Sequence, residues 1–158
     1  MPIQRAKIFK GSQFVRRVLG DNAMGFFAVG GAVTEYTDTS AGKTYRVHSF
    51  LSSGGTHYIE FNSPGIVDFL IVAGGGGSAA AEGYTGSTGG GGAGGMVEGT
   101  GWKVDAGHYP IVVGAGGAKS TDVAVPASSG GDSTLFGFTA KGGGGGTDYV
   151  GSDSERVG

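Results

Sequence analysis

A glycine pattern that directly follows an apolar run is the part of this sequence most similar to a nucleotide-binding motif. Residues 66–73 are almost all apolar, and Gly74, Gly76 and Ala79 after them match the spacing G-x-G-x-x-A. In dinucleotide-binding proteins this loop leads into an amphipathic helix, whose N-terminus holds the pyrophosphate. Residues 78–95 are instead mostly glycine and small residues with no helical apolar period. The pattern therefore predicts no nucleotide site, and we expect no cofactor.

Two shorter motifs match known sites only in part. Residues 41–44 (Ala-Gly-Lys-Thr) resemble the end of a phosphate-binding P-loop, but position 37 holds threonine where that motif needs its first glycine. A strand pattern rather than a helix follows Lys43, so we interpret the segment as a hairpin turn. Residues 130–132 (Gly-Gly-Asp) resemble a calcium-binding repeat, which occurs here only once.

The residue types that most often bind metals or act as nucleophiles are sparse or scattered. The sequence has no cysteine, which excludes disulfides and thiolate metal sites. The histidines His48, His57 and His108 do not cluster, and no carboxylate stands at a recognisable ligand spacing from them. His48 and His57 could face each other across neighbouring strands as polar residues of a half-exposed sheet. No serine lies in a nucleophile-elbow context. We therefore predict neither an enzyme nor a metal site.

Glycine dominates the sequence, with 37 of 158 positions, and it lies in four clusters between short strand-like segments. A glycine segment can form a polyproline-II-like helix with three residues per turn and no internal hydrogen bonds. Its backbone groups then need partners outside the segment, and without side chains neighbouring segments can approach closely. We predict that the first, second and fourth clusters lie side by side, and that a side chain at Gly76 or Gly144 would disrupt their packing. Flexible loops are the alternative. The clusters are residues 74–77, 89–95, 114–117 and 142–146.

The segments between the glycine clusters have the composition of strands. Apolar and polar residues alternate, and turn signals recur about every ten to twelve residues, which is typical of antiparallel sheets. We predict a mainly β fold, an antiparallel β-sandwich or meander with polyglycine-II-like extended segments and an N-terminal arm. Residues 66–72 form the longest apolar run, so they should be the most buried strand. The predicted strands are residues 32–37, 44–50, 56–62, 66–72, 96–104, 109–113 and 133–140.

The charge of the chain is distributed unevenly, although its net value is only −2. Residues 1–20 contain five basic side chains, and all thirteen acidic residues follow them. We predict an anchoring arm over residues 1–30, ordered on docking, and a glycine-rich β domain over residues 31–158. The alternative is an ordinary first strand and helix of the core, since residues 13–19 are long enough for two helical turns. The candidate anchoring residues are Arg5, Lys7, Lys10, Phe14, Arg16 and Arg17.

An acidic surface fits this arm better than nucleic acid does. The body of the chain is acidic, and its aromatic residues are not interleaved with the basic ones as stacking platforms. We therefore expect no nucleic-acid partner. The first residues have no apolar signal region, and the longest apolar run is about six residues, far below the ~20 that a membrane-spanning helix needs. We expect no secretory signal and no membrane insertion.

The order of the sequence blocks resembles the glycine-rich domain of bacteriophage tail fibres, adhesins and other virion proteins. The blocks are VDFLIVAGGGG, GGGGAGGMVEG, AGHYPIVVGAGG, GGDSTLFG and TAKGGGGG, which lie between residues 30 and 146. The resemblance implies a structural virion protein, tail-fibre or adhesin-like, located on the tail or capsid surface. Residues 1–30 would anchor it to other virion proteins, and the glycine-rich domain would serve host attachment. A capsid or tail decoration protein with no receptor role is the alternative.

The partners expected on this basis are the host surface and the protein itself. Host surface polysaccharide or an outer-membrane protein would be the receptor, with Tyr84, Trp102 and Tyr149 as candidate receptor-facing residues. Ordering so much glycine costs backbone entropy, and short strands leave edges that need covering. Both arguments favour a homo-oligomer, and the resemblance implies a trimer.

Overall fold

The computed structural model of the chain describes residues 13–19, 26–40, 42–80, 89–122 and 125–147. In this part of the chain every regular element is a β-strand, and every strand pairing is antiparallel. The fold is therefore mainly β, as the alternation of residues predicted. None of the described residues belongs to a helix long and apolar enough to cross a membrane.

Two five-stranded sheets make up the body. Sheet 1 has the strand order β3-β4-β1-β6-β7, and sheet 2 has the order β10-β9-β8-β5-β2. Most strands begin and end within two residues of the predicted bounds. The strands are β1 (Gln13–Leu19), β2 (Ala28–Val29), β3 (Ala32–Asp38), β4 (Lys43–Phe50), β5 (Thr56–Phe61), β6 (Gly65–Val72), β7 (Met96–Val104), β8 (Gly107–Val112), β9 (Ser133–Leu135) and β10 (Phe138–Ala140).

Apolar side chains of the two sheets meet in one core. Ile59 and Phe61 alternate along β5 and are buried, while Tyr58 and Glu60 on the opposite face are exposed. Strand β6 has five consecutive buried residues, more than any other strand whose burial the structure describes, as predicted. The buried core residues that β4 to β10 contribute are Phe50, Ile59, Phe61, Val67, Phe69, Ile71, Val104, Ile111, Leu135 and Ala140.

A buried carboxylate interrupts the pairing of β6 with β7. The register shifts between Val67 and Phe69, and the Asp68 carboxylate between them accepts a hydrogen bond of 2.7 Å from the N–H of Gly101. Gly101 has a φ of 65°, in the left-handed region that glycine adopts at little cost. This irregularity directly precedes Trp102 of β7 in the chain.

Residues 133–140 form a hairpin, although the sequence pattern predicted a single strand. Leu135 of β9 pairs with Phe138 of β10, and only Phe136 and Gly137 lie between them. Both have positive φ, 52° and 82°, as a two-residue hairpin turn of type I′ requires. Phenylalanine is unusual at the first position of such a turn, where asparagine, aspartate or glycine is common. The prediction failed because the apolar pattern continues through the turn.

Strand β1 lies within the predicted arm. Its backbone pairs with β4 on one side and β6 on the other, so residues 13–19 form a central strand of sheet 1 and not a helix. Residues 1–12 and 20–25 lie outside the described residues. The division of the chain at residue 30 therefore stays a prediction.

The two histidines that could have faced each other lie in different sheets. His48 is on β4 in sheet 1, and His57 is on β5 in sheet 2. They do not face each other, because the chain crosses from one sheet to the other between these consecutive strands. The Nε2–H of His57 instead donates a hydrogen bond of 2.9 Å to the Ser52 carbonyl oxygen.

Candidate functional site

Five extended segments continue the ends of strands in both sheets. Four of them contain the predicted glycine clusters. The remaining one, residues 127–131, precedes β9 and was not among those clusters. We number these glycine segments along the chain. They are segment 1 (73–79) after β6, segment 2 (89–95) before β7, segment 3 (114–120) after β8, segment 4 (127–131) before β9 and segment 5 (141–147) after β10.

Backbone hydrogen bonds join these segments at every third residue. Between segments 1 and 2 the bonds have donor–acceptor distances of 2.8–3.0 Å, and the two segments run antiparallel. None of the described residues makes such a bond within its own segment. A repeat of three with no internal bonds is the behaviour of a polyproline-II-like helix. The bonds run from the N–H of Ala73, Gly76 and Ala79 to the carbonyls of Gly95, Gly92 and Gly89.

Segment 1 is the centre of this lattice, because it is hydrogen-bonded to each of the other four. Its Gly74 donates to Gly131 of segment 4 at 3.0 Å and accepts from Gly143 of segment 5 at 2.9 Å. Its Gly75 accepts from Gly117 of segment 3 at 2.8 Å. Further bonds join segments 2 and 5, 4 and 5, and 3 and 4. The prediction that three of the glycine clusters lie side by side is confirmed.

Neighbouring segments lie too close for a side chain at two of every three positions of segment 5, and at three of the four glycines of segment 1. A Cβ atom on Gly76 would lie 1.9 Å from the Gly144 carbonyl oxygen, and one on Gly143 would lie 2.1 Å from that of Gly92. Neither glycine has a φ in the left-handed region, so close approach and not backbone conformation requires glycine there. A Cβ on Gly144 would meet no atom within 4 Å. The clash expected at Gly76 is confirmed, and the one expected at Gly144 was wrong.

In segments 1 and 5 every third position is exposed. In segment 5 the exposed residues are Lys141, Gly144 and Thr147, and Gly143 and Gly146 are buried. Segment 1 repeats the pattern, with Gly75 and Ser78 exposed. In segment 5 the non-glycine residues Lys141 and Thr147 both occupy such exposed positions, a signal that the prediction of side-by-side clusters did not use.

Polar side chains next to the lattice accept hydrogen bonds from some of its other N–H groups. The fully buried Ser133 hydroxyl accepts a hydrogen bond of 2.8 Å from Gly114. The Asp132 carboxylate accepts from Lys141 Nζ at 2.6 Å and from the N–H of Gly142 at 2.9 Å. These bonds, that from Lys141 above all, lower the pKa of Asp132 below its ordinary value. Both acceptors join the β9 end of the sandwich to the lattice.

An aromatic groove lies at the other end of the β9–β10 hairpin. It has a volume of about 500 Å³ and is lined by four aromatic side chains together with Lys103, Thr134 and Thr139. Trp102 is 39% exposed, and its ring lies 5.1 Å from Phe138 and 6.2 Å from Phe69, nearly perpendicular to both. The aromatic lining residues are Trp102 of β7, Tyr109 of β8, Phe136 of the turn and Phe138 of β10.

Hydrogen bonds and ring packing hold the groove walls in place. The Tyr109 hydroxyl accepts from the N–H of Asp105 at 3.0 Å and donates to its carbonyl at 3.2 Å. Phe136 packs edge-on against Tyr109 and Phe69, with ring centroids 5.2 Å and 5.4 Å apart. The groove is therefore lined by rings that the core fixes from behind.

His48 is a buried titratable residue away from the groove. Its Nδ1–H donates a hydrogen bond of 2.8 Å to the Gly30 carbonyl, and its Nε2 is buried without a partner. Burial lowers the pKa of His48 below its ordinary value; the Gly30 bond opposes this change and the charge of Arg46 adds to it. The imidazole is therefore neutral and structural. Among the described residues no group of three or more His, Asp and Glu side chains could hold a metal ion.

Of the predicted receptor-facing residues, Trp102 lines the groove, and Tyr84 and Tyr149 lie outside the described residues. Among the anchoring candidates, Phe14, Arg16 and Arg17 belong to β1, and Arg5, Lys7 and Lys10 lie outside the described residues. The sequence patterns did not single out Tyr109, Phe136 and Phe138. The available signal was the pair Phe136 and Phe138 on either side of Gly137. The prediction missed the turn because it treated residues 133–140 as one strand.

A β-sandwich whose strands continue into a polyglycine-II-like lattice is a glycine-rich β domain. The family model described as a glycine-rich domain matches residues 51–158, which include the whole lattice and the groove. The chain belongs to the glycine-rich domain family. No curated protein and no solved structure matches the chain.

Proposed function

We propose that this protein is a structural protein of a bacteriophage virion, tail-fibre or adhesin-like, that presents its glycine-rich domain for host attachment. The observation that carries the proposal is the lattice and the aromatic groove on one body. Segments held by backbone bonds at every third residue form a stiff scaffold. The groove places partly exposed aromatic rings on that scaffold, and such rings are frequent in recognition surfaces.

Trp102 is the residue that we expect to face the receptor, which is either host surface polysaccharide or an outer-membrane protein. Tyr84 and Tyr149 are further candidates. The basic residues near the N-terminus would join the protein to acidic surfaces of other virion proteins. The protein would then be located on the tail or capsid surface.

Self-association is part of the proposal, with a homotrimer as the expected state. Strand β3 is at the edge of sheet 1, and its residues are exposed apart from Asp38, which is half-buried. Val33 and Tyr36 are 50% and 52% exposed on this strand. An edge strand with exposed apolar residues is a surface that proteins normally cover. This edge supports association, and the number three comes from the resemblance to fibres.

The test is incorporation into phage particles, followed by adsorption to host cells. Deletion of all thirty N-terminal residues would remove β1, which lies between β4 and β6, so we use Arg5→Ser, Lys7→Ser and Lys10→Ser together in the full chain. This variant should fold normally and be missing from purified particles, as measured by mass spectrometry. Lys119→Ser in the exposed part of segment 3 is the control for loss of charge and should be incorporated normally.

Adsorption separates the two kinds of virion protein. For an attachment protein, particles that lack it should adsorb poorly to host cells. Normal adsorption of such particles would contradict the attachment role and indicate the decoration protein. Normal incorporation of the triple variant would contradict the basic anchor.

A further inference from the structure

We propose that the aromatic groove binds a short stretch of a saccharide chain, with Trp102 as the platform on which one sugar ring lies. The inference rests on the proposed attachment function for the source of the saccharide, which would be the host surface. The site itself is argued from the groove and from the chemistry of its lining.

The rings of the groove suit a ligand with an apolar face. Trp102 and Phe136 are close to parallel, with an interplanar angle of 26°, and Phe138 packs edge-on against Trp102. The negative face of an aromatic ring attracts positively polarised groups. The C–H groups on one side of a pyranose ring form such a surface, and its hydroxyls project around the edge.

The lining of the groove also contains polar groups that can form hydrogen bonds with the hydroxyls of a sugar. Thr134 and Thr139 supply hydroxyls, each of which can donate and accept, and Lys103 supplies a donor. Lys103 forms no ion pair with any described residue. A mainly apolar site with a few polar groups at its rim is typical of small-ligand pockets.

The size and the charge of the groove argue against a protein partner and against nucleic acid. A volume of about 500 Å³ fits a small ligand or two to three sugar units, since ligand pockets are typically ~300–1,000 Å³. A stable protein interface buries ~800 Å² on each partner, which is more than this groove offers. Among the described residues Lys103 is the one cation in the lining, whereas nucleic-acid sites need several phosphate contacts.

Phe136 is the second observation that points to a ligand. It is the one non-glycine residue of the described part with a positive φ, and asparagine or glycine would relieve the strain there. Residues held in strained conformations concentrate at binding sites. The strained turn places the Phe136 ring in the groove wall next to Tyr109 and Trp102.

The test uses Trp102 fluorescence, because Trp102 is the only tryptophan of the chain and lies in the groove. Linear tetrasaccharides of glucose, galactose and N-acetylglucosamine, and polysaccharide purified from the host envelope, are titrated into the protein. Occupancy should give a saturable change of emission intensity or wavelength with at least one of these probes. The absence of a saturable change with all of them would overturn the proposal.

Phe136→Asn removes the ring but suits the left-handed turn, so the variant should fold. Binding should weaken at least tenfold, as measured by fluorescence and by calorimetry. Tyr58→Ala removes an aromatic ring of β5 that is 55% exposed and does not line the groove, and its binding should be unchanged. Equal weakening in both variants, or none in Phe136→Asn, would overturn the assignment to the groove.

Failure of this inference can be distinguished from failure of the proposed function. One outcome is that particles need the protein for adsorption while the groove binds no saccharide. That result would refute saccharide binding by the groove and would still support the attachment function. Saccharide binding by the purified protein, combined with its absence from particles, would refute the virion function and support the groove.

Discussion

The sandwich core and the glycine lattice pack extended chain in opposite ways. In the sandwich, side chains such as Phe61, Phe69 and Ile71 fill the space between two sheets. In the lattice that space does not exist, because a single Cβ on Gly76 would lie 1.9 Å from a carbonyl oxygen of the next segment. A core can adjust its side chains to a substitution, whereas the lattice can adjust only by moving its backbone.

The two regions also differ in what stabilises them. Burial of apolar surface drives the sandwich. The lattice gains hydrogen bonds, each with a net value of only ~0.5–1.5 kcal/mol, against ~1–2 kcal/mol of backbone entropy for each ordered residue. We conclude that the lattice depends on the sandwich, whose strands fix one end of each glycine segment.

Phe69→Ala should lower the free energy of unfolding most, because it disrupts the sandwich core, on which the glycine lattice depends. Phe69 is 1% exposed and packs against Trp102, Phe136 and Phe138. The free energy of unfolding should fall by ~3–5 kcal/mol, as for other buried aromatic residues cut to alanine. Urea unfolding monitored by circular dichroism measures this loss.

Leu51→Ala is the matched control, because Leu51 is 60% exposed. It should change the free energy of unfolding by less than ~0.5 kcal/mol. A loss below ~1 kcal/mol for Phe69→Ala would contradict the dependence of the lattice on the sandwich core.

Gly143→Ala tests the lattice directly, with Gly144→Ala as its neighbouring control. The added methyl at Gly143 would lie 2.1 Å from the Gly92 carbonyl oxygen, and at Gly144 it would meet nothing within 4 Å. Gly143→Ala should destabilise by ~1–3 kcal/mol through overpacking, with backbone displacement as the only relief. Gly144→Ala should be neutral or stabilise by up to ~1 kcal/mol, because alanine reduces the entropy of the unfolded chain.

Equal melting temperatures of the two variants would show that the segments are loose loops. Hydrogen exchange on the unmodified protein gives a second measurement of the same contrast. In segment 1 the amides of Gly74, Gly76 and Gly77 are bonded to other segments, and those of Gly75 and Ser78 have no such bond. Exchange should therefore be slow at two of every three amides, and uniform exchange along the segment would contradict the lattice.

The smallest effect should come from His48, which links sheet 1 to the turn at Gly30. Its pKa is lowered in the folded protein, so the unfolded chain takes up this proton at higher pH. The contribution of His48 is complete above about pH 6.5 and is lost as the pH falls toward the lower pKa of the folded state. Thermal melting between pH 8 and pH 5 should show this loss.

His48→Gln should flatten that part of the pH profile, whatever its effect on stability at pH 8. His108→Gln is the control, because His108 is exposed on β8. An unchanged acid-side slope in His48→Gln would show that other groups cause the loss.

The strands were predictable because their information is local. Alternation along 56–62 and the apolar run of 66–72 predict β5 and β6, and side-chain burial in the structure follows both patterns. The glycine clusters predicted extended segments side by side, since a chain without side chains can satisfy its backbone groups only with close neighbours. Two outward positions of segment 5 are marked in the sequence by Lys141 and Thr147, whereas Gly144, in the middle of a run of five glycines, is not.

Only the tertiary structure decided which of these segments meet. The sequence alone does not show that β1 lies between β4 and β6, that His48 and His57 lie in different sheets, or that segment 1 contacts four others. The groove also depends on long-range packing, since Trp102, Tyr109 and Phe136 come from separate elements. The physical reason is that local patterns specify only the conformation of a segment. Which segments become its neighbours follows from the free energy of the whole chain. That free energy favours burial of apolar faces and completion of backbone hydrogen bonds.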